Sequence, residues 1–553
     1  MPSDDLLLSL LWIVPMGGAF AVCLIPDRAK AAIRGFALGT TVVTLLLALV
    51  AWRSFVAIDP SRAPLAIRSA SANPGDLVVR HAWIPDFGMQ YYLGLDGISL
   101  ALVLLAGLVG VLACLASWKV EEKVRGYFAL FLLLNSTLMG AFLSLDLVLF
   151  YVFFEAMLLP MYFLIALWGG DRREYAAMKF LLYTLFGSVF ILVAILALYF
   201  WPGDAPSTLS GRPFEGHTFD SVLLARAASE TGYYGPWVQR LAFLLFLAGF
   251  SVKLPSFPFH TWLPDAHVQA PTPISMILAG VLLKVGGYGL IRFAWPLAPS
   301  GAHDWAWPVA ALGGFTIVYG ALLALAQADL KRLVAYSSIS HMGYVTLGLA
   351  SMNLAGDPRA YAFGLDGAMY MMIAHGITST GMFFLVGAIE SRAGIRDLGA
   401  LGGLARAMPL ACLASTVIFF GSMGLPGLCG FVAEVFVILA AFGFSPSLGA
   451  LAAFAVVLAA AYVLRAIRRT FLGANPRFEG VADLDRREVA ILAPLVLLTV
   501  GLGVYPRVVL DWMGPSVVAV ARSITEARGN RPPATASRGE AAPDPAAIRP
   551  RAE

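Results

Sequence analysis

The sequence contains few charged side chains. Asp, Glu, Lys and Arg make up 13% of its 553 residues, while 59% of the residues are hydrophobic. Soluble proteins carry about 25% charged residues, so too few charges are left here to cover a large water-exposed domain. The composition excludes a soluble globular enzyme and predicts a polytopic membrane protein of the all-α class.

Cysteine is also scarce, and the usual cofactor motifs are absent. The four cysteines are scattered through apolar segments without a CxxC or Cys/His cluster, which excludes a disulfide framework and an iron–sulfur or zinc site. No GxGxxG or P-loop follows a strand-like run. We therefore expect no cofactor or metal in this chain and no nucleic-acid partner, and the modest net charge of +4 adds little.

Long apolar runs are abundant, and each run of about 20 residues is a candidate membrane span. The N-terminal "MPSDD" is acidic, whereas a secretory signal begins with a basic region, so the first run is read as a retained helix. We predict fourteen spans in the lipid bilayer, at 5–25, 33–54, 98–118, 126–144, 146–168, 176–200, 240–263, 273–294, 306–326, 331–351, 364–389, 409–443, 447–470 and 488–510.

Basic residues between the spans predict the orientation. Twenty Lys and Arg residues follow odd-numbered spans, while ten follow even-numbered spans. Basic loops stay in the cytoplasm, so we predict a bacterial inner (plasma) membrane protein with both termini in the periplasm. The segment 512–553 is rich in Pro, Ala and Arg and is predicted to be a disordered tail; its six basic residues argue mildly against translocation.

Two basic residues, Lys253 and Lys284, are left over because no loop accounts for them. An ionisable side chain at mid-bilayer costs about 2.5–3.5 kcal/mol on insertion scales, and such residues often mark proton or ion paths. The alternative for each acid or lysine is a fixed structural ion pair, and for each histidine a satisfied core residue. The six candidates for proton transfer are Glu155, Lys253, Lys284, His341, His375 and Glu434.

Two of the spans are interrupted by proline. The breaks at Leu254-Pro255 and Leu425-Pro426 lie 171 residues apart, and paired broken helices are typical of inverted-repeat transporters. We therefore predict two inverted five-helix repeats. The expected divisions are 1–125 (spans 1–3 with a periplasmic loop), 126–294 (first half-channel repeat), 306–470 (second half-channel repeat), 471–511 (span 14 and its preceding loop) and 512–553 (tail).

Polar residues beyond the first break extend the candidate path. His260, His267 and Asp265 lie at the predicted cytoplasmic end of span seven, where they could pass protons between Lys253 and bulk water. Packing within a loop explains them equally well. Asp96 precedes the apolar run of span three and is interpreted as a helix cap.

Several of these stretches resemble one protein family. "SVKLPSFPFHTWLPDAHVQAPTPISMILAGVLLKVGGYGLIR", "ADLKRLVAYSSISHMG", "YLGLDGISL" and "FYVFFEAMLLPMYFLI" resemble the antiporter-like membrane subunits of respiratory complex I (NADH-quinone oxidoreductase). The resemblance covers roughly residues 85–510 and extends to multi-subunit Na+/H+ antiporters and membrane-bound hydrogenases. Glu434, where the L and N branches usually carry lysine, and the short tail favour the M branch, chain 4 in mitochondria.

The resemblance implies a function and a role for each residue. Glu155 and Lys253 would form the interacting pair of the first half-channel, Lys284 and His341 would carry protons along the central axis, and His375 and Glu434 would lead to the exit. The chain would be a translocase subunit without a redox site. NADH, FMN, Fe-S clusters and quinone would belong to partner subunits, which include two further antiporter-like chains.

Two other function classes remain open at this stage. One is a subunit of a multi-subunit Na+/H+ antiporter or membrane-bound hydrogenase. Dependence of transport on sodium would favour the antiporter. The other is a membrane spacer without a transport role, which would tolerate neutralisation of all six buried groups. The charges in the spans favour proton transfer over the spacer.

Overall fold

The computed structural model describes residues 4–57, 77–201, 208–209, 212–213, 217–231, 233–352 and 358–529, and most of them are helical. Helices are expected because the bilayer offers no water to satisfy backbone N–H and C=O groups. The helices of the first half are α1 (Asp4–Leu24), α2 (Lys30–Ala57), α3 (Gly97–Ala116), α4 (Val124–Leu143), α5 (Leu147–Ala156), α6 (Leu158–Trp168), α7 (Arg173–Tyr199), α8 (Ser221–Arg226), α9 (Pro236–Lys253), α10 (Trp262–Gln269) and α11 (Thr272–Leu297).

Helix α11, the last helix of the first half, contains two π-helical turns, Leu278–Leu282 and Leu290–Ala294.

The second half is also helical, and its longest helix is α15 (Pro358–Ala393). The helices of the second half are α12 (Pro299–Asp304), α13 (Ala306–Ala326), α14 (Leu330–Ala350), α15 (Pro358–Ala393), α16 (Leu404–Ala407), α17 (Pro409–Ser422), α18 (Cys429–Phe444), α19 (Pro446–Phe471), α20 (Arg486–Val504) and α21 (Arg507–Gly529).

Among the described residues, 12 helices are long and apolar enough to cross a membrane. All but α21 coincide with predicted spans. The remaining predicted spans are helical too, as α9 with α10, as α14, and as α17 with α18. The all-α polytopic fold class is confirmed, while the total of fourteen spans and the inverted relation of the repeats remain predictions.

Both predicted helix breaks are present. Helix α9 ends at Lys253 and α10 begins at Trp262, so the chain between them is not helical. Pro255 has no N–H and clashes with a preceding helical turn. In the second break, between α17 and α18, Gly424 and Gly427 have φ angles of +77° and +89°, which a right-handed helix cannot contain.

The connections that follow odd-numbered spans meet on one side of the molecule, called here the basic face. Lys30 pairs with Glu121 at 2.9 Å, and Lys119 with Glu488 at 3.5 Å. Hydrogen bonds from Lys30 and Arg34 lower the pKa of the Glu121 carboxyl. Further bonds across this face join Gly170 with Gln269, Asp329 with Arg396 and Gly403 with Leu472.

The opposite side carries a β-hairpin that the sequence analysis left as a loop, and it is called here the hairpin face. Strands β1 (Val78–Ile84) and β2 (Met89–Gly94) pair antiparallel. The hairpin is anchored by Tyr91, whose hydroxyl lies 2.9 Å from Ser9 Oγ, and by Tyr92, whose carbonyl accepts from Leu145 N at 2.9 Å. A second ribbon joins β3 (Thr208–Leu209) to β4 (Arg212–Pro213).

The prediction of a disordered tail from residue 512 is wrong for its first part. Residues 507–529 form α21, which packs across the start of α3, where Gly97 N donates to Ser516 Oγ at 2.9 Å. Its buried side chains are spaced by three or four residues and form an apolar stripe, a periodicity that the high content of Pro, Ala and Arg obscured. The buried apolar residues of this helix are Val509, Met513, Val517, Val520, Ala521 and Ile524. Residues 530–553 lie outside the described residues, so disorder there stays a prediction.

Helices α11, α14 and α15 form the centre of the bundle, and nearly every residue of α14 is buried. The membrane-spanning stretch of α11 is 100% buried and that of α15 is 94% buried, whereas α7, α19 and α20 are no more than 39% buried. The peripheral helices turn apolar side chains outward, as bilayer contact requires. Lys284 of α11 and His375 of α15 are therefore held in the innermost layer.

Candidate functional site

The first break positions Lys253. As the last residue of α9, Lys253 is 1% exposed, and its Nζ donates to the carbonyl of Phe154 at 3.1 Å. The same ammonium lies 3.5 Å from the centroid of the Phe154 ring, in a cation–π contact. Phe154 precedes Glu155 on α5, so Lys253 is held beside the predicted acid.

Glu155 lies where α5 gives way to α6. Pro160 cannot donate to the carbonyl one turn earlier, and the helix is interrupted at Met157. The Glu155 Oε1 atom is shielded from solvent and has no hydrogen-bond partner among the described residues. No ion pair joins Glu155 to Lys253 within the part of the chain that the structure describes, so the two groups are neighbours with Phe154 between them.

Lys284 and His375 are in direct contact. The distance between Lys284 Nζ and His375 Nδ1 is 2.6 Å, and Nζ also donates to the carbonyl of Ala279. Ala279 lies in the first π-helical turn of α11, where the wider turn changes the direction of carbonyls, a feature frequent at functional sites. His375 Nε2 is buried without a partner in the described chain.

His341 continues the contact from His375 to the second break. The two ring centroids are 5.3 Å apart. His341 Nε2 donates to the carbonyl of Ser422 at 2.8 Å, and Ser422 is the last residue of α17. His341 Nδ1 has no partner among the described residues. A row of contacts therefore runs from Lys284 through both histidines to the broken helix.

Glu434 lies on α18, one turn beyond the second break, and is 2% exposed. Its carboxyl packs over Gly424 so closely that a Cβ on Gly424 would overlap Oε2. Tyr344 and Tyr462 lie within electrostatic range of this carboxyl. The Tyr462 hydroxyl is buried and has no partner in the described part of the structure. The second break therefore shapes the pocket that holds Glu434.

The family profile described as NADH:quinone oxidoreductase/Mrp antiporter, TM, matches residues 144–459. The chain belongs to this family. NADH-quinone oxidoreductase subunit M of Rhodobacter capsulatus is 41% identical to it over 545 residues, which cover 96% of this chain and 99% of that relative.

Solved structures agree with the family assignment. A chain of respiratory complex I from Thermus thermophilus is 32% identical with a TM-score of 0.77, and the match covers 94% of this chain and 99% of that one. A chain of the Mrp complex from a Dietzia species is 26% identical with a TM-score of 0.74, and the match covers 94% of this chain and 52% of that one. These family members share the arrangement of helices around the site.

The residues of the predicted secondary proton path, His260, His267 and Asp265, lie on the basic-face side of the first break. His260 contacts the rings of Phe257 and Tyr319, with centroids 6.0 and 5.2 Å away. His267 stacks on Phe383 at 4.3 Å, and neither of its nitrogens has a partner among the described residues. Lys284 lies within electrostatic range of His267. His267 is thus placed between the basic face and the central row.

Asp265 lies nearer the surface. It forms ion pairs with Lys179 at 2.7 Å and Arg332 at 3.7 Å. Asp265 and Arg332 border a cleft of about 230 Å³ that opens on the basic face. The cleft is lined by Arg172, Tyr175, Ala176, Asp265, Val268, Gln269, Asp329 and Arg332.

The sequence analysis missed further ionisable residues in the interior, among them the buried Arg292 and Lys331 and the partly buried Asp366. Arg292 is 6% exposed within α11 and pairs with Asp96 at 2.5 Å. Lys331 is 3% exposed at the start of α14, where Nζ donates to the carbonyl of Ala270 at 2.8 Å. Arg292 and Lys331 had been assigned to loops, so Lys253 and Lys284 are not the only basic residues that the loops leave in the interior. Both Arg292 and the third residue, Asp366, lie inside predicted spans. A charged residue within an apolar run is the signal by which the sequence analysis could have found them.

Asp96 has both a capping and an ion-pairing role. Its Oδ1 accepts from Ile98 N at 3.1 Å and from Ser99 N at 2.9 Å, which confirms the predicted helix cap.

The four cysteines are free thiols. Within the described residues, no three His, Cys, Asp or Glu side chains form a cluster that could hold a metal ion. The site brings together carboxyl, ammonium and imidazole groups, each of which can take up and release a proton.

Proposed function

We propose that this chain is a proton-translocating, antiporter-like subunit of a NADH-quinone oxidoreductase, the counterpart of subunit M. The observation that carries the proposal is the contact row from Lys284 to His375 and His341, which ends on the second broken helix. A row of different protonatable groups suits proton transfer, whereas a pore for other ions is lined by rings of like charges. The 41% identity to subunit M supports the same assignment.

The free nitrogens of the two histidines give the relay a direction. Lys284 Nζ faces Nδ1 of His375, and the unpartnered Nε2 of His375 is on the other side of that ring. A proton accepted at Nδ1 would be matched by a proton released from Nε2, which would reach the unpartnered His341 Nδ1 through a water because the two nitrogens are not hydrogen-bonded to each other. His341 then holds a proton on each nitrogen and can release one toward Glu434 through water at the second break.

The first half-channel would load this relay. Moving Glu155 away from Lys253 removes a stabilising negative charge, which weakens the hold of the lysine on its proton. Lys253 and Lys284 lie on adjacent backbones, because a Cβ added to Gly286 would be 2.5 Å from Leu254 N. The released proton would pass to Lys284 through water in the broken helix.

The remaining assignments follow from the complex. The basic face would lie in the cytoplasm and the hairpin face in the periplasm of a bacterial inner membrane. Redox energy would arrive through partner membrane subunits, including two further antiporter-like chains, as electrostatic and conformational change. This chain would hold no NADH, FMN, Fe-S cluster or quinone.

The test is Lys284→Ala in the assembled complex, with proton uptake by inverted vesicles measured during NADH oxidation. We expect pumping to fall about ten-fold, since loss of a positioned proton carrier costs about 10²-fold or more unless water substitutes. Lys30→Ala, a change at an exposed lysine of the basic face, is the control and should pump normally. Wild-type proton uptake per NADH in Lys284→Ala would contradict the proposal. Transport that follows sodium rather than pH would favour the Na+/H+ antiporter alternative.

A further inference from the structure

A further acid, the partly buried Asp366, lies on α15 outside the row described above. It is nine residues before His375, about 14 Å along the helix toward the hairpin face. Its Oδ1 atom is shielded from solvent and has no hydrogen-bond partner among the described residues. A carboxyl group in a membrane-spanning helix is costly, so its presence without a partner needs an explanation.

Packing between α15 and α18 places Asp366 relative to Glu434. A Cβ on Gly367 would lie 2.8 Å from Val437 N, and one on Gly364 would lie 3.3 Å from Ala440 Cβ. The two helices therefore run in opposite directions, and Asp366 is level with Val437. Since Val437 is about one turn, or ~4.5 Å, beyond Glu434, Asp366 is one turn closer to the hairpin face than Glu434.

The surroundings of Asp366 lead outward from the bundle. Tyr370 lies one turn away on the same side of α15, and its hydroxyl donates to the carbonyl of Leu502 on α20 at 2.6 Å. This side of α15 faces the end of α20, close to where α21 begins. Asp366 as a whole is only partly buried. Its Oδ1 atom is shielded from solvent, while another part of the residue reaches the surface.

A purely structural acid in this protein has a different environment. Asp96 Oδ1 accepts from two backbone N–H groups and from Arg292, and these bonds stabilise its charge. Oδ1 of Asp366 has none of these partners in the described chain. A fixed structural role therefore does not account for Asp366, whereas a group that alternates between charged and neutral forms needs no permanent partner.

We propose that Asp366 is a further proton-carrying residue, which accepts the transported proton after Glu434 and releases it at the hairpin face. The inference rests on the proposed function. The carboxylic acid of Glu434 gives its proton to an intervening water, which passes one to the Asp366 carboxylate. Glu434 is left ionised and Asp366 neutral, and Asp366 then releases the proton to water at the hairpin face.

The test is Asp366→Asn in the full chain within the assembled complex. Asparagine has nearly the same shape and cannot carry the proton, so the initial rate of NADH-driven proton transport should fall about ten-fold. Electron transfer to a soluble acceptor and the amount of assembled complex should not change. Asp366→Glu should restore most of the transport rate. Wild-type transport by Asp366→Asn would overturn the inference.

Three comparisons make the result specific. Asp86→Asn removes an exposed carboxyl from the same face and should leave transport unchanged; an equal loss there would overturn the inference. If Glu434→Gln slows transport and Asp366→Asn does not, only the inference fails, whereas if neither change slows it, the proposed function fails as well. If Asp366→Asn does not assemble, Asp366→Ser is the second variant, with the same expected loss.

Discussion

His375 and His341 differ in which ring nitrogen is engaged. His375 uses Nδ1 to contact Lys284, while His341 uses Nε2 to contact the Ser422 carbonyl. The unengaged nitrogens are the two that would exchange a proton. Neutral imidazole carries one donor and one acceptor nitrogen, so each histidine keeps one nitrogen free to exchange a proton through water.

We predict that His375→Gln and His341→Gln each lower NADH-driven proton transport at least about ten-fold, because glutamine cannot take up and release a proton near neutral pH. Since the residues act in series, the double variant should be no slower than the slower single variant. The measurement is the initial rate of vesicle acidification per assembled complex. His217→Gln, at an exposed histidine, is the control. Additive losses would argue for two parallel paths.

The sequence predicts which residues are buried better than it predicts their partners. Of the six residues predicted to transfer protons, all but the partly buried Glu155 are buried, because an ionisable group in an apolar run is a strong signal. The partner of Lys253 could not be predicted, since its contact with Phe154 joins residues 99 positions apart. The contact between Lys284 and His375 joins residues 91 positions apart, which no local pattern encodes.

At the scale of elements, the backbone of the second break packs directly against the carboxyl group of Glu434. Gly424 and Gly427 both have positive φ angles, but only Gly424 lies under the carboxyl group. At Gly427, an added Cβ would meet no atom within 4 Å. Substitutions at the two glycines therefore distinguish the effect of backbone strain from the effect of overlap with Glu434.

We predict that Gly424→Ala displaces Glu434 and lowers proton transport about ten-fold or more, whereas Gly427→Ala pays only the strain of a left-handed residue, about 1–2 kcal/mol. Both variants should assemble, and transport rate per complex is the measurement. Equal losses in the two variants would mean that strain alone, without contact to Glu434, controls this break.

The breaks were predictable from the sequence, but the hairpin and α21 were not. Pro255 and Pro426 interrupt apolar runs, and proline in a helix has a direct steric effect. The segment of β1 and β2 is rich in aromatic and β-branched residues, a pattern typical of strands, yet it lies in a long stretch between spans and was left as a loop. Helix α21 is amphipathic, and its periodicity was hidden by its composition.

At the scale of the whole molecule, one buried ion pair holds three regions together. Arg292 on α11 pairs with Asp96 at the start of α3, and the adjacent Gly97 N–H donates to Ser516 on α21. The members of this pair are only 4% and 3% exposed. Removing one partner of such a pair leaves an uncompensated buried charge.

We predict that Arg292→Met destabilises the subunit by about 3–5 kcal/mol. Arg240→Met breaks the more exposed pair with Asp304 and should cost no more than about 1 kcal/mol. The measurement is the temperature at which half of the subunit is lost from the detergent-solubilised complex. Arg292→Met combined with Asp96→Asn should recover part of the loss, because no charge is then left unpaired. Equal shifts for the two single variants would contradict the assigned role.

Helix α15 has 36 residues and is therefore about 54 Å long, well beyond the hydrocarbon thickness of about 30 Å. It carries His375 near its middle, and its far end is fixed by Arg392, which donates to Glu488 at 2.5 and 3.2 Å. A continuous helix of this length behaves as a stiff rod. Because the helix is unbroken between its ends, an axial displacement at either end also displaces the imidazole of His375.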